Sequence, residues 1–130
     1  MSAWLPYVLV GVGGFVGANA RFVIARGLGA ALDTRFPLGT FVVNVSGSFL
    51  LGVLGAVVAN KVFPNSDALR LALGVGFLGA FTTFSTFEFE THALLEDWLA
   101  WTATLNVAAS VLVGLVAVRA GIVAGRTWFS

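Results

Sequence analysis

The chain has 130 residues, of which 58% are hydrophobic and 10% charged, with a formal net charge of +1. A soluble domain carries about 25% charged residues, so lipid is the solvent that suits this composition. Four spans of about 20–25 residues leave no length for an external catalytic or nucleic-acid module, the charge gives no basic patch, and the absence of cysteine removes disulfides, thiol nucleophiles and thiolate metal ligands.

The first predicted span covers about residues 4–31 and carries Asn19, Arg21 and Arg26 among Val, Leu, Phe and Gly. No Lys or Arg precedes it and it is too long for a signal h-region, so it is expected to stay as a spanning helix. Leu32-Asp33-Thr34-Arg35-Phe36-Pro37 breaks the pattern. The second span, about 38–59, carries Asn44, Ser46 and Ser48. A polar loop, Asn60-Lys61-Val62-Phe63-Pro64-Asn65-Ser66-Asp67, follows, with Ser66 or Asp67 expected to cap the next helix.

The third span, about 68–95, opens as an apolar helix and meets Gly74-Val75-Gly76-Phe77-Leu78-Gly79 and then Thr82-Thr83-Phe84-Ser85-Thr86-Phe87. Glycine and threonine are poor helix formers, so a break is expected here. At membrane depth a break frees backbone groups, which are tolerated only inside protein or beside a cavity. Phe81, Phe84 and Phe87 recur at spacing three and are expected on one helix face. Glu88, Glu90 and His92 close the span, His92 as a surface pair with Glu88 or in water. The fourth span, about 98–123, carries Asn106 and Ser110 one turn apart. Trp4, Tyr7, Trp98, Trp101 and Trp128 fall near span ends, where amphipathic rings anchor at the headgroup level.

Gly74–Gly79 matches GxGxxG, but no βαβ unit surrounds it, so a dinucleotide site is rejected. Asn44-Val45-Ser46 matches a glycosylation sequon at a depth no glycosylating enzyme reaches. Gly13 with Gly17, Gly121 with Gly125, and the Ser48, Gly52, Ala56 stripe read as close-packing surfaces. Basic residues barely favour one orientation: Lys61, Arg70, Arg119 and Arg126 fall on one side, Arg35 on the other, with Arg21 and Arg26 approaching it from inside the first span. Such a chain can insert both ways up and pair as an antiparallel homodimer.

Burying an unpaired hydrogen-bonding group in hydrocarbon costs about 4–8 kcal/mol, yet polar groups concentrate inside these spans. Nearly all are neutral donors, Arg21 is the one ionised group at depth, and no carboxylate sits mid-span. Donors with an arginine suit an anion path, whereas a cation path wants carboxylate or carbonyl rings. Aromatic rings add positive edges. The alternative is that the hydroxyls serve interhelical or own-helix bonds.

Three segments, Gly13–Phe22, Gly39–Phe49 and Gly76–Phe87, fall in order in three spans, and together they resemble signatures of the Fluc/CrcB fluoride channel family. Gly13-Gly14-Phe15-Val16-Gly17-Ala18-Asn19-Ala20-Arg21-Phe22 resembles its GGxxGAxxRy signature. Gly39-Thr40-Phe41-Val42-Val43-Asn44-Val45-Ser46-Gly47-Ser48-Phe49 resembles GTxxVNxxGxF, and Gly76-Phe77-Leu78-Gly79-Ala80-Phe81-Thr82-Thr83-Phe84-Ser85-Thr86-Phe87 resembles GFxGxxTTFSTF. The resemblance implies an all-α, four-helix channel in the cytoplasmic membrane, assembled as a dual-topology antiparallel homodimer with two fluoride pores. It needs no organic cofactor and is not an enzyme. By the same resemblance Asn44 is the pore-lining amide, Phe84 and Phe87 present ring edges to fluoride, and Ser85 and Thr86 belong to a polar track, with Ser110 on the span-four polar edge. Arg21 and Glu90 belong to a vestibule, and the Gly79 and Thr82 carbonyls from both subunits hold a structural Na⁺. Glu88 departs from the small polar residue common in the family and adds a negative charge beside an anion path. Against this stand a proton-coupled drug exporter, which wants a membrane carboxylate that span one lacks, and a non-transporting assembly subunit.

Overall fold

The computed structural model describes residues 2–60 and 63–129; Lys61 and Val62, in the expected polar loop and orientation tally, lie outside the described residues. The described chain is helical: α1 (Leu5–Ala31), α2 (Leu38–Ala59), α3 (Ser66–Leu69), a π-helical segment (Arg70–Leu78), α4 (Gly79–Phe81), α5 (Phe84–Glu96) and α6 (Ala100–Trp128). Four helical stretches are long and apolar enough to cross a bilayer, the third running Ser66–Glu96. α6 continues past the Val123 at which the sequence pattern stops. Asn65 rather than Ser66 or Asp67 precedes α3, and no side chain caps it; Ser66 and Asp67 already lie in the first turn.

Lipid as solvent explains where the apolar residues go. α2 is the inner helix, and Val43 and Leu54 on it join Leu78 and Phe81 in the core. α1 and α6 instead present Val12, Phe15, Val16, Leu112, Leu115 and Val116 outward. In water such surfaces would aggregate; against acyl chains they are the solvated face.

Helices cannot attract one another hydrophobically in lipid, so close backbone packing takes that role. α2 packs chiefly on α6, and α1 on the π-helical segment. Glycine makes both contacts possible. A Cβ on Gly121 would strike the Phe49 carbonyl, and one on Gly52 the Val118 carbonyl. A Cβ on Gly13 would strike the Ala72 carbonyl, and one on Gly17 the Phe77 carbonyl. The small-residue stripes are therefore packing seams, as their spacing suggested.

The sequence pattern gives no warning of the π-helix. It is closed by the Gly79 N–H bonding to Gly74 O, five residues back. Gly74 and Gly76 add no side chain to the widened turn, and Gly76 lies against the α1 backbone at Val10 O. A wide turn and a tight neighbour thus coincide on glycine. α4 ends at Phe81, and Thr82 (ψ 155°) and Thr83 (φ −148°, ψ 119°) are extended before α5 begins at Phe84.

Replacing Gly121 or Gly17 with Val should destabilise the fold by about 3 kcal/mol or more, since backbone rather than a flexible side chain must move. Gly55→Ala, where a Cβ meets nothing within 4 Å, should be neutral. Thermal midpoints of the purified variants check this contrast.

Candidate functional site

The site is organised by one carboxamide. Asn44 on α2 donates from Nδ2 to the Thr83 carbonyl at 2.9 Å, and its Oδ1 accepts the Thr83 N–H at 2.8 Å. Both backbone groups of an extended residue are thereby paired, as a strand partner would pair them. One turn along α2, Gly47 leaves room for the Thr82 methyl and the Phe81 ring, which a Cβ there would strike.

Thr83 is also the N-cap of α5. Its Oγ1 accepts the Thr86 N–H at 3.2 Å and donates to Thr86 Oγ1 at 3.0 Å, satisfying one of the orphan amides that begin every helix. Ser85 Oγ lies 3.4 Å from the same oxygen. Thr82 closes α4, with its N–H and its hydroxyl both donating to Leu78 O at 3.0 Å.

These bonds redirect the helix ladder. In a continuous helix the Thr83 and Thr86 amides would bond the carbonyls of Gly79 and Thr82. Here they go to Asn44 Oδ1 and Thr83 Oγ1. The two carbonyls lose those donors, while the Phe84 and Ser85 amides open α5 without intrahelical acceptors.

Two cavities adjoin this segment, and a third shares a threonine with the second. The first, ≈320 Å³, includes Asn44, Ser48, Gly79, Thr82, Thr83 and Phe84 in its wall. The second, ≈320 Å³, is lined by Arg21, Arg26, Thr40, Thr83 and Thr86 among others. The third, ≈190 Å³, also has Thr40 in its wall and is lined by Thr34, Arg35 and Glu90 among others. Thr83 lies in the wall of the first and second, and Thr40 in that of the second and third. No carboxylate lines the first two. In the third, Thr40 Oγ1 donates to Glu90 Oε1 at 2.9 Å, and Glu90 Oε2 is buried without a hydrogen-bond partner among the described residues.

Phe84 is 74% exposed and Phe87 8% exposed, their rings 5.8 Å apart and tilted by 40°. Phe81 does not share their face. It is buried in the core and stacked on Phe77 at 5.5 Å, because the extended pair at 82 and 83 breaks the helical register on which the spacing argument relied. Ser110 lies in a separate chain. It donates to Asn106 Oδ1 at 3.4 Å, Asn106 donates to Thr91 Oγ1 at 2.8 Å, and Thr91 donates to the Phe87 carbonyl at 2.7 Å. Asn106 is 1% exposed, so this chain fastens α6 behind Phe87.

Several polar residues take the own-helix option: Asn19 donates to Phe15 O, Ser46 to Val43 O and Ser48 to Asn44 O. His92 pairs with Glu96 at 3.5 Å rather than with Glu88, since both are one turn away and the sequence offers no preference. Thr40 and Thr83 escaped the sequence-based choice of site residues. For Thr83 a signal existed: a threonine just after an expected break is a helix-capping residue. For Thr40 there was none, since its partner Glu90 is fifty positions away.

Asn44→Ala would leave the Thr83 N–H buried and unpaired, at about 1–3 kcal/mol, while the Thr83 C=O, at the N-cap, keeps the first intrahelical bond of α5. Asn44→Asp keeps an acceptor for the N–H but offers no donor when ionised, so it should restore part of the stability. Thermal midpoints of the two variants, compared with the parent, check this order.

Comparison with known proteins agrees with the sequence motifs. Residues 8–122 match the family described as CrcB-like protein, Camphor Resistance (CrcB). The fluoride-specific ion channel FluC of Hydrogenovibrio crunogenus is 46% identical over 126 residues, covering 97% of this chain and 95% of the relative. That of Geobacter sulfurreducens is 49% identical over 117 residues, covering 90% and 94%. That of Solibacter usitatus is 40% identical over 122 residues, covering 94% and 99%. Matches of this extent run through all four apolar helical stretches, and the chain belongs to the CrcB-like protein family.

Proposed function

We infer that this chain is a fluoride-specific ion channel, a multi-pass protein of the bacterial cell membrane. The observation that carries the reading is the pair of cavities from Asn44 and Phe84 past Thr83 and Thr86 to Arg21, whose walls set an amide, hydroxyls and a guanidinium among apolar side chains and include no carboxylate. A small, strongly hydrated anion gives up water only where fixed donors replace it. Relatives with 40–49% identity that carry the fluoride channel name support the same conclusion.

In the mechanism proposed, HF formed in an acidic medium enters as a neutral molecule and dissociates in the less acidic cell interior, and the accumulated fluoride leaves passively down its gradient. Arg21 attracts the anion into a vestibule. Thr86 accepts a hydrogen bond from Thr83 Oγ1, so its own proton is free to turn toward the ion, and Ser85 extends that track. The ring edges of Phe84 and Phe87 carry positive partial charge and hold the ion without trapping it. Asn44 has a second amide hydrogen beyond the one it gives to Thr83, which lets it contact the ion while keeping the backbone extended. Glu90, held by Thr40, lines the far end, and Ser110 acts from α6 through the Asn106 and Thr91 bonds that end on the Phe87 carbonyl.

The interrupted third span lies at membrane depth in this reading, and two copies pair in antiparallel orientation. That pairing suits the weak bias of basic residues and gives the exposed Gly79 and Phe84 a covering. The structural Na⁺ fits the donor set, because the Gly79 and Thr82 carbonyls have lost the amides that would satisfy them in a continuous helix. Those carbonyls, from both copies, would hold the ion; bound there, it would neutralise inward-facing backbone dipoles and fix the two copies together.

The test is ion release from liposomes loaded with potassium fluoride, with valinomycin to balance charge and chloride run in parallel. Rapid fluoride release without chloride release is expected. It should fall at least about tenfold on Phe84→Leu, about 1.4 kcal/mol of barrier, and should decline in sodium-free vesicles. A folded protein that releases no fluoride would overturn the channel reading and leave a non-transporting assembly subunit.

A further inference from the structure

We propose that Arg35 captures the anion at the far mouth of the pathway, and that Asp97, which pairs with its guanidinium in this structure, competes with the anion for it. The proposal rests on the channel reading above and assigns the charge that offsets Glu90.

The third cavity sets an electrostatic problem for an anion. Among the described residues, Glu90 and Arg35 are the charged side chains in its wall. Glu90 Oε1 accepts the Thr40 hydroxyl, and Oε2 is buried without a hydrogen-bond partner among the described residues. An ionised carboxylate in that wall repels an arriving anion, and a group taken out of water is screened less. A cation at the mouth offsets this repulsion and raises the local anion concentration. Arg35 is the cation in that wall.

The turn between α1 and α2 builds its position. The Phe36 N–H donates to Thr34 Oγ1 at 3.2 Å, the Thr34 N–H to Leu32 O at 2.9 Å, and the Leu38 N–H to Phe36 O at 2.8 Å. The Phe36 ring meets the Phe41 ring edge-on at 5.5 Å, which pins the turn to α2. The backbone is thus braced on both sides of Arg35, while its side chain is 77% exposed.

The guanidinium pairs with Asp97, 64% exposed, at 3.6 Å. Asp97 is the C-cap of α5 and does not line the cavity. Exposed pairs of this kind contribute little to stability and weaken with salt. An anion arriving at the turn can therefore take the place of the Asp97 carboxylate. Removing either partner breaks the same ion pair, yet the two removals change the charge at the mouth in opposite directions. That difference separates anion capture from a tie between two turns.

Fluoride currents of the full chain in planar bilayers of phosphatidylcholine, a lipid without net charge, test the proposal. At about 10 mM potassium fluoride charges act over about 30 Å, and at about 1 M over about 3 Å. At the lower concentration Arg35→Gln should cut the current per reconstituted protein at least about threefold, Arg35→Lys should keep most of it, and Asp97→Asn should raise it about twofold. At the higher concentration the parent and the variants should carry similar currents. A loss in Asp97→Asn equal to that in Arg35→Gln would overturn the proposal, because the pair would then serve only to tie the turns. So would unchanged currents in both variants, or an Arg35→Gln loss that persists at about 1 M. A folded parent that carries no fluoride at either concentration would overturn the channel reading, and this inference with it.

Discussion

The structure around the site depends on the two hydrogen bonds between the Asn44 carboxamide and the Thr83 backbone. They let the helix ladder be interrupted without leaving the buried Thr83 N–H unpaired, a state that would cost about 1–3 kcal/mol. Other features follow from them. The Thr83 amide is taken from Gly79 O, Thr83 Oγ1 becomes free to cap α5, and that cap takes the Thr86 amide from Thr82 O. One side chain thus sets loose carbonyls at one edge of the break and loose amides at the other. This is a polarised pair of helix ends of the kind that suits ions.

The rest of the chain holds that break in place by packing rather than by hydrophobic attraction. α2, which carries Asn44, Gly47 and Gly52, is both the inner helix and the source of the clamp. Glycine brings α6 against its outer side and α1 against the π-helical segment. The Asn106, Thr91 and Phe87 chain ties α6 to α5. The residues that line the cavities are therefore mounted on close-packed backbone, while the exposed apolar side chains of α1 and α6 face lipid.

Much of this was legible in the sequence, for physical reasons that can be named. Apolar runs long enough to cross a bilayer mark four helical stretches whatever their tertiary contacts, and glycine at spacing four marked the seams. The polar segment from Thr82 to Phe87 stood out because hydroxyls and glycine are costly inside a span. Where the reading fell short, the missing information was not local. Phe81 was placed with Phe84 and Phe87 by a periodicity that holds only while the helix is continuous. The π-helix depends on how closely α1 approaches Gly76. Thr40 matters through Glu90, a contact between distant parts of the chain, and His92 had two carboxylates at equal helical distance.

The account turns on the Thr83 amide being held by Asn44, and hydrogen exchange at that amide in the bilayer-reconstituted protein tests it most directly. Thr83 and Thr86 should exchange slowly, bonded to Asn44 Oδ1 and Thr83 Oγ1, while Phe84 and Ser85, which begin α5 without intrahelical acceptors, should exchange faster. Exchange at Thr83 as fast as at Phe84 would contradict the account, because the extended segment would then be held by something other than the clamp.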